Sequence, residues 1–163
     1  MTKTLKPNPS LSLSVQYATD LLALPRWRVR RWVAGVLDQV APTEPVELSL
    51  RFVSPHEAQA LNRTYRHKDY VPNVLTFAYD DMLVPGQPIL GDIVICADVL
   101  QQEAHEQHKP FLAHACHLVV HGTLHALGYD HQTAAQAKEM EALEIQILKR
   151  WGIPDPYELR VTP

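Results

Sequence analysis

His121, His125 and His131 lie in the run His121-Gly122-Thr123-Leu124-His125-Ala126-Leu127-Gly128-Tyr129-Asp130-His131, and five of the chain's nine histidines fall between His114 and His131. Residues four apart on a helix share one face, so His121 and His125 present their rings side by side. Gly128 lets the chain leave the helix through a left-handed turn that a β-carbon would resist. That reversal can bring His131 back toward the pair. Three imidazoles aimed at one point suit a transition metal, and zinc best, although nickel would also accept them. Three protein ligands instead of four leave one coordination position for water, which is the catalytic arrangement. The expectation is one zinc ion held by His121, His125 and His131.

The spacing H-x3-H-x2-G-x2-H is that of the metzincin zinc proteases. Those enzymes carry a Glu after the first His as general base, and here that position is Gly122. The metal site is therefore expected without the usual proteolytic chemistry. A peptide hydrolase is a disfavoured reading for the same reason.

The elements that must hold these residues follow from pattern. Leu11, Leu13, Val15 and Tyr17 alternate with polar residues, as in a half-buried strand. Pro25 can open a helix running to Val40, with Val29, Trp32, Val33, Val36, Leu37 and Val40 as its apolar stripe. Arg26, Arg28, Arg30 and Arg31 lie mostly off that stripe, and a solvated face explains them better than a polyanion contact. Val46, Leu48, Leu50 and Phe52 alternate as a second strand. Ser54-Pro55-His56-Glu57 predicts a capping box and a helix toward Tyr65. Residues 73–79 and 91–96 read as two more strands, joined through a loop or hairpin at 80–90. Helices follow from Asp98 to Gln107, from Pro110 to Leu127 and from Thr133 to Arg150. In the histidine helix Leu112, Cys116, Val119, Val120 and Leu127 form the core stripe. His114, His117, His121 and His125 form an adjacent one, which puts the metal at the edge of the core. The order β-α-β-α-β-β-α-α-α predicts an α+β fold, a mixed, roughly four-stranded sheet covered by helices.

The chain has 163 residues, enough for one domain with a sizeable core. We expect a single domain over 1–163, with 1–10 a loose tail. The formal net charge of −3 provides no general basic field for a nucleic acid, so a polyanionic substrate would need a local patch. Cys96 and Cys116 stand in apolar runs and read as buried small hydrophobes. The polar first ten residues contain no signal-like apolar stretch, and no later run could span a membrane. A cytoplasmic location without membrane partners is the default expectation.

Three stretches resemble the YbeY family of bacterial single-strand-specific endoribonucleases and ribosomal RNA maturation factors. They are Leu61-Asn62-Arg63-Thr64-Tyr65-Arg66-His67-Lys68-Asp69 leading into Pro72-Asn73-Val74-Leu75-Thr76-Phe77; Gly91-Asp92-Ile93-Val94-Ile95-Cys96; and His121 through His131. The last is similar to the family's H-G-x-L-H-x-x-G-Y-D-H. His67, Thr76 and Ala78 stand where Gly, Ser and Pro are usual. The resemblance implies a four-stranded mixed sheet with a zincin-like site and zinc on the three matching histidines. It also implies a functional arginine at Arg66 and a role in 16S ribosomal RNA 3′-end maturation and ribosome quality control. The implied partners are single-stranded RNA and the small ribosomal subunit or its assembly factors, with no DNA.

Phosphodiester cleavage needs an activated nucleophile and neutralised phosphoryl charge. Zinc on three neutral imidazoles keeps its full charge and can lower its water's pKa to about 7. Arg66 can offer phosphate a planar charged fork. Arg66 and Lys68, with His67, form a local cationic cluster beside Tyr65 and Tyr70, a combination suited to unpaired bases and phosphates. With Gly122 in the Glu position, Asp130 is a candidate base, although a turn cap or a hydrogen-bond acceptor for a ligating imidazole fits it better. His117 is a candidate proton shuttle, and His114 lies one turn further away. Both also fit the commoner role of packed helical histidines. RNA's own 2′-hydroxyl is a second possible nucleophile. The competing class is a non-catalytic ribosome assembly factor with a structural zinc.

Overall fold

The computed structural model describes residues 11–21, 23–79 and 85–158. The expected tail at 1–10 lies outside these, as does part of the connection at 80–90. Four strands, β1 (Leu11–Tyr17), β2 (Val46–Val53), β3 (Val74–Ala78) and β4 (Ile89–Cys96), form one mixed sheet in the order β1-β2-β4-β3. β1 and β4 run parallel to β2 on either side, and β3 pairs antiparallel with β4 at the edge. The helices are α1 (Arg26–Val40), α2 (Pro55–Arg66), α3 (Ala97–Glu106), α4 (Phe111–Ala126) and α5 (Ala134–Lys149). The expected fold class holds, with element ends shifted by one or two residues. No described helix is long and apolar enough to cross a membrane.

α4 is the central helix, and its burial extends beyond one stripe to Ala115, Cys116, Leu118, Val119, Val120, Gly122, Thr123, Leu124 and Ala126. It touches α1, α3, α5, β3 and β4. Beyond its first turn, only His117, His121 and His125 approach solvent. It lies close on the sheet because two glycines permit it. A β-carbon on Gly91 would come within 2.9 Å of Ala126 Cβ, and one on Gly122 within 2.8 Å of Ile93 Cγ2. The same contact explains the missing Glu, because position 122 faces the sheet where no longer side chain fits.

Two local expectations are corrected. Ser54 Oγ does accept from Glu57 N, but the Glu57 carboxylate pairs with Arg51 at 2.9 Å instead of returning to the cap. The full reciprocal box is at Thr133 and Gln136, opening α5. Nor is the α1 arginine face simply solvated. Arg26 Nε donates to Val15 O and Arg30 Nη1 to Leu13 O, covering the outer carbonyls of the edge strand β1.

Candidate metal centre

α4 presents His121 and His125 one turn apart near its C-terminal end. Gly128 then takes a φ of +100°. Gly128 N–H donates to His125 O and Tyr129 N–H to Leu124 O, both at 3.0 Å, which is the Schellman pattern. Asp130 Oδ1 accepts the His131 backbone N–H at 2.7 Å and fixes the next bend. The result is the convergence expected from sequence. Ligating atoms of His121, His125 and His131 all lie within 4.8 Å of one another. Asp130 thus caps the turn through Oδ1, and it also lines the cleft that holds the three histidines.

Behind the trio lies a buried carboxylate that pattern reading did not pick out. Glu144 of α5 is 0% exposed. It accepts from His121 Nδ1 at 2.6 Å, from the His117 ring at 3.0 Å and from the Tyr157 hydroxyl. Burial alone would raise its pKa, but the hydrogen bonds from His117 and His121 hold it down at about 2. A permanent carboxylate on Nδ1 leaves His121 Nε2 free to ligate. Glu144, His117 and His121 form a second close group of donors. Their separations of 2.6–3.0 Å are those of hydrogen bonds. The signal for Glu144 was available: Met140, Glu144, Ile147 and Leu148 are the buried residues of α5, and a charged residue occupies its apolar stripe.

His125 has its pKa lowered to about 4, chiefly by burial and then by His121 and His131. The ring is thus neutral near pH 7, as a metal ligand must be. His114 is 4% exposed and bonds Glu103 at 3.0 Å. Glu103 also receives the Asn73 side-chain amide, so His114 belongs to a structural bracket at the start of β3.

The trio lies in a cleft of about 610 Å³ between the C-terminal end of α2, the edge strand β3 and the turn after α4. Arg66, Lys68, Tyr70, Asp130 and all three histidines line it. The Arg66 guanidinium donates to Thr76 O and lies 5.6 Å from the Phe77 ring centroid. Thr76 Oγ1 in turn donates to Gly122 O at 3.4 Å, tying strand to helix. His67 and Tyr65 are not among the residues lining the cleft. His67 closes α2 with a φ of +57°, which gives the conformational reason for a glycine there. Tyr65 packs edge-on against Phe77.

Fold and site together define an α+β protein with a histidine-rich group able to hold a metal ion, set in a cleft with cationic walls. Residues 15–152 match the protein family described as Endoribonuclease YbeY. Among curated relatives, Endoribonuclease YbeY of Bordetella pertussis (strain Tohama I) is 53% identical over 90% of this chain and 96% of its own. The protein of that name from Thiobacillus denitrificans is 52% identical over 91% of this chain and 97% of its own. The chain belongs to the YbeY family of endoribonucleases. The solution structure of TM1509 from Thermotoga maritima shares the fold, with a TM-score of 0.54 at 20% identity, over 93% of this chain and 99% of that one.

Proposed function

We propose that this chain is a zinc-dependent, single-strand-specific endoribonuclease that acts as one domain in 16S ribosomal RNA 3′-end maturation and ribosome quality control. One observation supports this reading above the rest: three clustered histidines and the cations Arg66 and Lys68 line the same cleft. The named relatives are endoribonucleases, which fixes the class of substrate. Within this reading the partners are single-stranded RNA and the small ribosomal subunit or its assembly factors, and the location is cytoplasmic.

The residues fit the metal. A neutral His125, a His121 whose Nδ1 is held by Glu144, and a His131 delivered by a capped turn make an all-imidazole donor set suited to zinc. Two ligands one helical turn apart and a third beyond a glycine turn make the site zincin-like. When bound, the ion supplies Lewis-acid charge and lowers the pKa of a coordinated water. The other tasks fall to the chain. Arg66, braced by the Thr76 carbonyl and the Phe77 ring, binds the scissile phosphate through charged hydrogen bonds. Lys68 adds charge beside it, and Tyr70 offers a ring face to an unpaired base. Glu144 keeps His121 in one tautomer.

The test uses protein freed of contaminating nuclease, offered single-stranded RNA, duplex RNA and unstructured peptide, with and without chelator. Cleavage of single-stranded RNA that stops with chelator and returns with zinc is expected. Chelator-insensitive cleavage, metal-dependent peptide cleavage, or ribosome binding with no RNA cleavage would each overturn the reading.

A further inference from the structure

Tyr157 reaches the site from the far side. It stands beyond α5 on a segment docked by Trp151 and Ile153, which both pack on the main core. A β-carbon on Gly35 of α1 would collide with the Trp151 ring, so that anchor occupies a place reserved for it. Asp155 Oδ1 then accepts the Tyr157 backbone N–H at 2.8 Å and turns the chain inward. The Tyr157 ring stands edge-on to His117, with centroids 5.5 Å apart. Although Tyr157 as a residue is 40% exposed, its hydroxyl meets Glu144, which is fully buried. The Glu144 carboxylate has one oxygen for His121 and the other for both His117 and Tyr157.

We propose that Tyr157 and His117 are positioning residues, which hold the Glu144 carboxylate in the one orientation that presents His121 Nε2 to the metal. The segment from Trp151 to Tyr157 thereby sets metal affinity from outside the cleft. The inference rests on the reading that His121, His125 and His131 bind the ion. The physical reason is geometric. A carboxylate free to rotate about its last bond would offer His121 Nδ1 a poorer acceptor, and the imidazole could take the other tautomer. Two donors on the far oxygen prevent that rotation. Outer partners of metal-ligating histidines commonly change affinity about 10- to 100-fold.

The experiment compares parent, Tyr157→Phe, His117→Gln, Glu144→Gln and His125→Ala. Zinc affinity is measured by competition with a chromophoric chelator, folding by circular dichroism of the metal-free proteins, and the His121 tautomer by nitrogen NMR. Tyr157→Phe, a mild change at a half-exposed position, should fold normally and weaken zinc about 3- to 10-fold. His117→Gln should do the same, and Glu144→Gln should weaken zinc about 10- to 100-fold. The tautomer should shift from Nδ1–H toward a mixture, with KM for RNA unchanged. Folded Tyr157→Phe and His117→Gln proteins that bind zinc as the parent does, while Glu144→Gln binds it more weakly and His125→Ala does not, would overturn this proposal alone. Zinc retained by His125→Ala would overturn the three-histidine reading, and this proposal with it.

Discussion

Placing Glu at position 122 would recreate the sequence signature of a zinc protease, and the structure predicts that it damages the protein instead. A β-carbon there would stand 2.8 Å from Ile93 Cγ2, 3.4 Å from Val74 Cγ2 and 3.5 Å from Thr76 Oγ1. Ile93 is 0% exposed, and its Cγ2 is carried on a branched carbon with little rotamer freedom. The helix or the sheet must therefore yield. Gly122→Ala gains about 1 kcal/mol in helix propensity. Overpacking costs about 1–3 kcal/mol. The balance is a loss of about 1 kcal/mol, or a Tm about 2–4 °C lower for a chain of this size. Gly122→Glu adds a longer side chain and a carboxylate with no partner, for a total of about 3 kcal/mol or more and a Tm lower by about 6–12 °C. Because Gly122 O accepts from Thr76, whose own carbonyl braces Arg66, RNA cleavage should fall as well. The assay is thermal unfolding of metal-free parent, Gly122→Ala and Gly122→Glu. A Gly122→Glu protein that melts with the parent, or that acquires peptide cleavage, would refute the claim that this face of α4 is closed by the sheet.

Three further outcomes are expected. Arg66→Ala should lower kcat/KM for single-stranded RNA by about 10- to 100-fold, the worth of one charged hydrogen bond, with zinc content unchanged. A parallel loss of metal would mean that the arginine acts on the fold instead. His67→Gly relieves a φ of +57°, and urea unfolding should show a gain of up to about 1 kcal/mol, against the extra freedom glycine gives the unfolded chain. A destabilised variant would contradict that. Burial lowers the pKa of His114 despite its Glu103 partner. The unfolded state therefore binds the proton more readily, and stability present above about pH 6.5 is lost as pH falls below it. Urea unfolding of metal-free protein at pH 7.5 and 5.5 should show a smaller drop in His114→Gln than in the parent.

The elements were legible because period and punctuation agreed. β1 alternates from Leu11 to Tyr17, and Pro25, Ser54 and Thr133 begin helices where expected. The histidine trio was legible because helix spacing and one glycine fix it locally. The features that escaped are made by tertiary contact. Glu144 meets His121, and Tyr157 meets Glu144, only when α5 and the segment after it dock on α4. The arginines of α1 looked solvated because the neighbouring edge strand that takes two of them is invisible in their own pattern. The capping box at Ser54 failed on one leg because Arg51, on β2, competes for Glu57. In each case a side chain's partner lies on another element, which the pattern of its own element does not show.

The central claim is that His121, His125 and His131 hold one metal ion. Elemental analysis of protein purified without added metal, parent beside His125→Ala, tests it most directly. About one zinc per chain in the parent and none in a folded His125→Ala protein is the predicted result. Equal metal content in the two, or a folded parent that takes up no zinc when it is supplied, would contradict it.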